Sequence, residues 1–197
     1  MTFNDFMTLA QVTFRDPPRA LRMLQSLDLS IETRWLGLFL AVTLSAALAV
    51  IASAFFPLTN ETGVIGLTRR PLALAGVQLF GMALGAWLLA NVGRIFGGHG
   101  SFADALLVVT WVELLLVAVQ AVQVVLMLIF PFFASFLGLA AIAAFIYLVV
   151  QFTKALHGFS STFGVVLGLI GTAIGAGFVL SILMTMLGVA PPVGVAP

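Results

Sequence analysis

The chain has very little charge and no cysteine. Of its 197 residues, 8% are charged and 62% are hydrophobic, whereas soluble domains are usually about 25% charged and about 45–50% apolar. A soluble globule of this size could not hide so much apolar surface from water, and the same composition excludes disorder. The lack of cysteine excludes disulfides, thiolate catalysis and cysteine-ligated zinc. The composition therefore predicts an integral membrane protein.

Other functional signals are also missing. The formal net charge is only +1, so we expect no nucleic-acid partner. No serine has a histidine and a carboxylate placed to activate it, and there is no paired-aspartate or His-Glu-x-x-His pattern. The glycines at 97–100 are not a phosphate loop, because no strand precedes them and no Lys-Ser/Thr follows. We expect no catalytic residue, no bound metal and no cofactor.

Five apolar runs are long enough to cross a bilayer, whose core of about 30 Å needs about 20 helical residues. They lie at residues 35–56, 71–96, 103–130, 132–152 and 160–187. Continuous runs favour helices over barrel strands, which alternate polar and apolar residues. The prediction is an all-α membrane protein, with amphipathic cytoplasmic or interfacial helices at 1–34, a five-helix transmembrane domain at 35–187 and a flexible external tail at 188–197.

The basic residues lie mostly on one side of these spans. One side would hold Arg15, Arg19, Arg22, Arg34, Arg94 and Lys154. The other would hold only Arg69 and Arg70. Because basic loops stay in the cytoplasm, we expect a cytoplasmic N-terminus and an external C-terminus.

The N-terminal arm, residues 1–34, has amphipathic periodicity. Residues at i, i+3, i+4, i+7 and i+11 form one predicted apolar face: Phe3, Phe6, Met7, Ala10 and Phe14. A second helix would begin after Asp16. Leu21, Leu24 and Leu27 would form its apolar stripe, and Arg19 and Arg22 would lie on its polar side. Two interpretations stay open and are compatible: an interfacial hairpin on anionic lipid, or a pair of helices that caps the bundle.

One carboxylate lies deep in the predicted membrane. Glu113 follows Asp104 by nine residues, which is about 14 Å of helix, and a charge at that depth costs at least about 2.5–3.5 kcal/mol. Thr110 and Gln120 share its helix face, and Gln123 lies at the edge of that face. Three interpretations of this stripe stay open: a proton or ion relay, a hydrogen-bonded contact with a partner chain, or a buried clamp within the bundle.

A depth count makes the clamp specific. Gln78 lies seven residues after Pro71, and Gln123 lies seven residues before Phe130. Both ends belong to the same side of the membrane, so the two amides should lie at similar depth. We predict a hydrogen bond between Gln78 and Gln123, worth about 0.6 kcal/mol on average for such pairs.

Two spans carry glycines on one helix face. The last span has Gly164, Gly168, Gly171 and Gly175, and the second has Gly81 and Gly85 on the face of Gln78. A row of small residues allows another helix backbone to approach closely. We expect packing within this chain, and the alternative is association of two copies through the last span.

The connection between the second and third spans is a tight hairpin. Ser101 and Asp104 form a predicted capping box at the start of the third span. His99 and His157 both fall in loops on this side. We expect two independent histidines; the alternative is a metal site that they form with Asp104.

Two short motifs stand out in the chain: Phe14-Arg15-Asp16-Pro17 with the leucine helix after it, and above all the hairpin residues Gly97, Gly98, Gly100, Ser101, Phe102 and Asp104. They resemble the signature of the Yip domain family, named for Ypt-interacting proteins, in its short bacterial form. The likeness covers roughly residues 10–187. The resemblance implies the five-span fold and a cytoplasmic N-terminus, and it brings no catalytic residue.

Eukaryotic members of that family imply a membrane adaptor that binds small GTPases and shapes or sorts vesicles. This chain lacks their long N-terminal region, so we do not expect a small GTPase as partner. Seven arginines to one lysine indicate a bacterium with GC-rich DNA, and hence the inner membrane. Our first hypothesis is a non-catalytic scaffold, membrane-shaping or accessory subunit whose partners are membrane lipids and another membrane protein or a second copy. The alternative is a small transporter or proton-coupled subunit that uses Glu113, Gln120 and Gln123.

Overall fold

A computed structural model describes residues 2–55 and 70–186. Its helices are α1 (Phe3–Arg15), α2 (Pro17–Gln25), α3 (Ile31–Phe55), α4 (Pro71–Ile95), α5 (Phe102–Ile129), α6 (Pro131–His157) and α7 (Thr162–Met186). The last five are long and apolar enough to cross a membrane, which confirms the predicted all-α bundle of five spans. The predicted end of the first span at Phe56, the basic residue Arg69 and the tail at 188–197 lie outside the described residues.

Local sequence explains where the helices begin and end. The Asp16 carboxylate accepts the Arg19 N–H and caps α2, while prolines open α2, α4 and α6, where a missing N–H has no cost. Gly158 ends α6 in the left-handed conformation, with φ of 72°. The first span begins at Ile31 rather than at residue 35, because Ser30 accepts the Thr33 N–H and the helix adds a polar turn ahead of its apolar run.

The arm begins with a capping box that the sequence analysis did not predict. The Thr2 N–H donates to the Asp5 carboxylate over 2.7 Å, and the Asp5 N–H donates to the Thr2 hydroxyl over 3.3 Å. The backbone and then the side-chain hydrogen bond from Thr2 hold the pKa of Asp5 below its usual value. Helix α1 therefore has a defined start ahead of the membrane spans.

Helix α5 lies at the centre of the bundle. It packs against α3, α4 and α6, whereas α7 packs on α6. Helices α3, α5 and α7 begin at one end of the bundle, where α4 and α6 finish. We call it the arm end, because α1 and α2 pack there. Apart from Ala134, the buried residues of the described spans lie toward the arm end or near the middle. Toward the far end, the spans expose most of their apolar side chains, which face lipid in a membrane.

The apolar face predicted for α1 is divided between the bundle and the outside of the protein. Leu9 and Thr13 are buried, while Met7 and Phe14 are each 45% exposed. Phe6 is partly buried against the core; the side chain of Phe3 is outside the described part. The sequence analysis left open whether the predicted face meets lipid or the bundle. In the structure α1 has two apolar stripes, one with the buried Leu9 and one with the exposed Met7 and Phe14, and periodicity alone does not say which one meets protein.

The second arm helix follows its predicted pattern more closely. Pro17, Ala20, Leu21 and Leu24 are buried, and Arg19 and Arg22 are exposed. Leu27, predicted to extend the stripe, is 41% exposed, because α2 ends at Gln25 and Leu27 is already in the turn to α3.

Candidate functional sites

Glu113 lies in a hydrogen-bonded cluster that joins three spans. Its carboxylate Oε1 accepts the Gln78 amide over 2.7 Å, and the same amide donates to the Ser45 hydroxyl over 2.9 Å. Ser45 in turn donates to Gln120 over 3.2 Å. The Glu113 residue is 4% exposed. This polar cluster of Ser45, Gln78, Glu113 and Gln120 ties α3, α4 and α5 together inside the membrane.

The predicted pair of Gln78 and Gln123 does not form. Gln78 bonds to Glu113 and Ser45, while the Gln123 amide donates to the Ala134 carbonyl of α6 over 3.3 Å. The depth count considered height and ignored rotation about the helix axis. At about 100° per residue, Gln123 lies about 80° around α5 from Glu113, so it faces α6 rather than α4.

Ser45 is a member of the cluster that the sequence analysis missed. It lies 14 residues after the start of α3, and Glu113 lies 11 residues after the start of α5, which places them about 21 Å and about 17 Å along parallel helices. A depth count from the arm end would have found it. Thr110, predicted in the same stripe, is 6% exposed, and its hydroxyl has no hydrogen-bond partner in the described part of the chain.

The partners of Glu113 are neutral. In the described part of the chain, the one ion pair joins Arg34 and Asp104, and no three metal-ligating side chains gather. A carboxylate that receives hydrogen bonds from neutral amides can hold helices together or exchange a proton. The cluster thus has the composition of a helix clamp, with Glu113 as its titratable member.

The hairpin between α4 and α5, residues 97–104, is called the glycine hairpin below. It is built around the side chain of His157. This imidazole is 2% exposed and stacks on Phe159, with ring centroids 5.3 Å apart. A Cβ at Gly93 would overlap the ring, a Cβ at Gly98 would lie 2.6 Å from Cβ and Cγ of His157, and one at Gly100 would lie 2.7 Å from Cε1. Three glycines are therefore required because the ring occupies the space that their side chains would take.

Gly97 has a different role in the same hairpin. A Cβ there would meet no described atom within 4 Å, but its φ is +83°, a conformation that only glycine adopts without cost. It reverses the chain after α4, so that Gly98 and Gly100 reach His157. Spacing identified the hairpin; it could not identify the histidine that the hairpin encloses, because the ring comes from another helix.

Both ring nitrogens of His157 are occupied. The Gly100 N–H donates to Nδ1 over 3.1 Å, and Nε2 lies 2.9 Å from the Leu89 carbonyl oxygen. A backbone N–H can only donate and a carbonyl can only accept, so Nδ1 is bare and Nε2 carries the proton. The expectation of two independent loop histidines was wrong for His157, which is buried, and it has no free nitrogen for the alternative metal site. His99 is exposed.

The rest of the hairpin links two spans at the arm end. Ser101 caps α5 by accepting the Asp104 N–H over 3.0 Å, and its hydroxyl donates to the Asp104 carboxylate over 2.9 Å. The other carboxylate oxygen pairs with Arg34 of α3 at 3.0 Å. Phe102 packs on Trp35, with ring centroids 6.2 Å apart. The hairpin therefore contacts α3 as well as α6.

The arm is attached to α5 by one buried polar bond. The Trp111 indole N–H donates to the Thr13 hydroxyl over 2.9 Å, and Thr13 donates to the Leu9 carbonyl over 2.8 Å. The Phe6 ring packs edge-on against Trp111 at 5.3 Å. Neither Trp111 nor Thr13 was singled out in the sequence. On the outer surface of the arm, Arg15, Arg19 and Arg22 are exposed.

The glycine face of α7 is not covered by this chain. At Gly168, Gly171 and Gly175, an added Cβ would meet no described atom within 4 Å, and the same holds at Gly81 and Gly85 of α4. Gly164 lies in the first turn, next to its capping residue Ser161. We expected these glycines to serve packing within this chain, but no described residue packs into the space beside these five positions.

Together, these helices and sites define a class: an all-α membrane protein with five spans, a packed N-terminal arm and a glycine hairpin closed on a histidine. A family model, the Yip1 domain, matches residues 13–184. The chain belongs to the Yip1 domain family, and the match runs from Thr13 of the arm through α7. A comparison with curated proteins and one with solved structures found no match.

Proposed function

We propose that this Yip family protein is a non-catalytic membrane scaffold, an accessory or membrane-shaping subunit of a larger assembly. The family is generally non-enzymatic. The main support is the distribution of packing in the bundle: apart from Ala134, the buried residues of the described spans lie toward the arm end or near the middle. Toward the far end, the spans leave their side chains free for lipid or for another protein.

The arm supplies a surface on one side of the membrane. Its inner face is fixed by the bond between Thr13 and Trp111, while Phe14 is exposed next to the exposed arginines. Apolar side chains beside arginine suit the boundary between acyl chains and anionic headgroups. In our proposal the arm lies against the cytoplasmic leaflet of a bacterial inner membrane, with the N-terminus in the cytoplasm and the C-terminus in the periplasm.

The glycine face of α7 is the proposed contact with another span. Gly168, Gly171 and Gly175 leave a groove with no described side chain in it, and close approach of backbones is what drives helix association in lipid. The occupant would be a second copy of this chain or a span of another membrane protein. A small GTPase is not part of the proposal.

Cysteine cross-linking in native membrane vesicles tests this contact, and the chain has no cysteine of its own. The test variant is Gly171→Cys, and the matched control is Ala173→Cys. Both positions are exposed, and two residues turn a helix by about 200°, so they face opposite ways. We expect a discrete cross-linked product from Gly171→Cys only, at twice the mass of the chain for a homodimer and at another mass for a different partner.

Equal or absent cross-linking at both positions would remove the support for an α7 contact. The scaffold proposal as a whole fails if the protein is also a monomer in mild detergent and incorporates equally into small and large vesicles. A stable stoichiometric complex, or a preference for curved vesicles, supports it.

A small transporter or proton-coupled subunit is the second candidate. The observation that favours it is Glu113, a buried carboxylate that accepts a hydrogen bond from the neutral amide of Gln78. Replacing Glu113 by Gln should abolish proton-coupled flux in vesicles while the protein still assembles. Flux that is unchanged by this substitution contradicts the candidate.

A further inference from the structure

His157 is the one buried titratable side chain at the junction of three elements: the end of α4, the hairpin and the end of α6. Its neutral form is required by its two partners, since Nδ1 accepts from Gly100 and Nε2–H donates to Leu89. A side chain at any of the three glycines around it would collide with the ring, so the pocket fits the ring closely.

A proton added to Nδ1 would break this arrangement. The Nδ1–H would face the Gly100 N–H, so two donors would oppose each other across 3.1 Å and the hydrogen bond would be lost. The imidazolium would also be a buried cation, which is costly unless a negative charge lies beside it.

The surrounding charged groups do not supply that negative charge. On the α4 side, Arg94 follows Gly93 and is exposed. On α6, Lys154 is basic and donates to Thr162. On the hairpin, His99 carries no negative charge and is exposed, and Asp104 is already paired with Arg34.

We propose that His157 is a pH-sensitive latch: in its neutral form it holds the glycine hairpin onto α6, and protonation of Nδ1 releases the hairpin from the arm end of the bundle. This is independent of whether the protein scaffolds or transports. The proton comes from water, and the ring leaves its pocket with an N–H on both nitrogens.

Hydrogen exchange on the full-length protein in lipid nanodiscs tests the latch. The peptides of interest cover residues 96–104, measured from about pH 7.5 to about pH 4.5, a range that brackets the ordinary histidine pKa of about 6.5. The exchange times are adjusted at each pH to compensate for the intrinsic pH dependence of amide exchange. We expect hairpin protection in the wild type to fall about tenfold or more at the acidic end, as one buried hydrogen bond is lost.

Two variants separate the histidines. His157→Asn keeps an oxygen near the position of Nδ1 as acceptor for Gly100 and cannot gain a proton, so its hairpin exchange should not depend on pH. His99→Gln should keep the full wild-type response. A response that disappears in His99→Gln, or one that persists in His157→Asn, would overturn the proposal.

A direct measurement on the ring covers the case in which His157→Asn does not fold. In His99→Gln, His157 is the single remaining histidine of the chain, so ¹⁵N NMR reports its tautomer without overlap. We expect a bare Nδ1 at neutral pH, and protonation of both nitrogens over the same pH range in which the hairpin opens. A ring that stays neutral to about pH 4.5, or one that charges with no change in hairpin exchange, contradicts the latch.

Discussion

Replacing Gly93 with alanine should strongly destabilise the protein, although alanine is normally a better helix residue. The added Cβ would overlap the His157 ring. Forcing a methyl group into a well-packed site costs typically about 1–3 kcal/mol. If the ring is displaced, the Gly100 N–H also loses its partner, which costs about 1–3 kcal/mol more for a buried donor. The expected loss in the free energy of unfolding is therefore about 2–6 kcal/mol.

The matched control is Gly85→Ala, eight residues earlier on the same helix. A Cβ at Gly85 meets no described atom within 4 Å, so this variant should show no steric cost and at most the ordinary helix-propensity gain of about 1 kcal/mol. Both variants change the same residue type in α4, and helix propensity therefore cancels in the comparison.

Reversible unfolding by denaturing detergent in mixed micelles is the assay for both variants. The double variant Gly93→Ala with His157→Ala should cost less than the sum of the single changes, because removing the ring makes room for the methyl group. If Gly93→Ala is as stable as Gly85→Ala, the imidazole does not occupy the pocket and the explanation of the hairpin glycines is wrong.

Substitutions at two more positions test the remaining contacts. Glu113→Gln should change stability by less than about 0.5 kcal/mol, since a carbonyl oxygen still accepts from Gln78, whereas Glu113→Ala should cost about 0.6–1.7 kcal/mol in the same detergent assay; equal effects would exclude the hydrogen-bonded clamp. Thr13→Val should cost about 1–3 kcal/mol, because the buried Trp111 N–H loses its acceptor, and hydrogen exchange in α1 should rise; unchanged protection of α1 would show that the arm is held by apolar contacts alone.

The fold was largely predictable from the sequence, and contacts between distant elements were not. Apolar run length found the five spans, and the prolines and Ser101 located helix starts, because these signals act within a few residues. The partner of Gln78 required knowledge of how α4 and α5 are rotated about their axes. Depth along a helix is available from residue number, but rotation against a neighbour is set by packing.

The arm and the hairpin show the same limit in different ways. Periodicity found that α1 is amphipathic, yet the buried face includes Thr13, a polar residue whose hydroxyl donates to Leu9 within α1 and accepts the indole N–H of the distant Trp111. The glycines at 97–100 were recognised as a motif, but the reason for Gly98 and Gly100 is a ring on α6. A glycine in a sequence can indicate that a side chain would not fit at that position, but it does not identify the group that occupies the space.

The bond between the arm and α5 has a consequence for biogenesis. Thr13 and its partner Trp111 are 98 residues apart, and Phe14 and its partner Tyr147 are 133 apart. The arm leaves the ribosome before α5 and α6, which form its docking site, so docking has to be a late step of folding. Until then, the two apolar stripes of α1 would hold it at the membrane surface. One stripe would leave lipid and pack against protein only after α5 and α6 are in place.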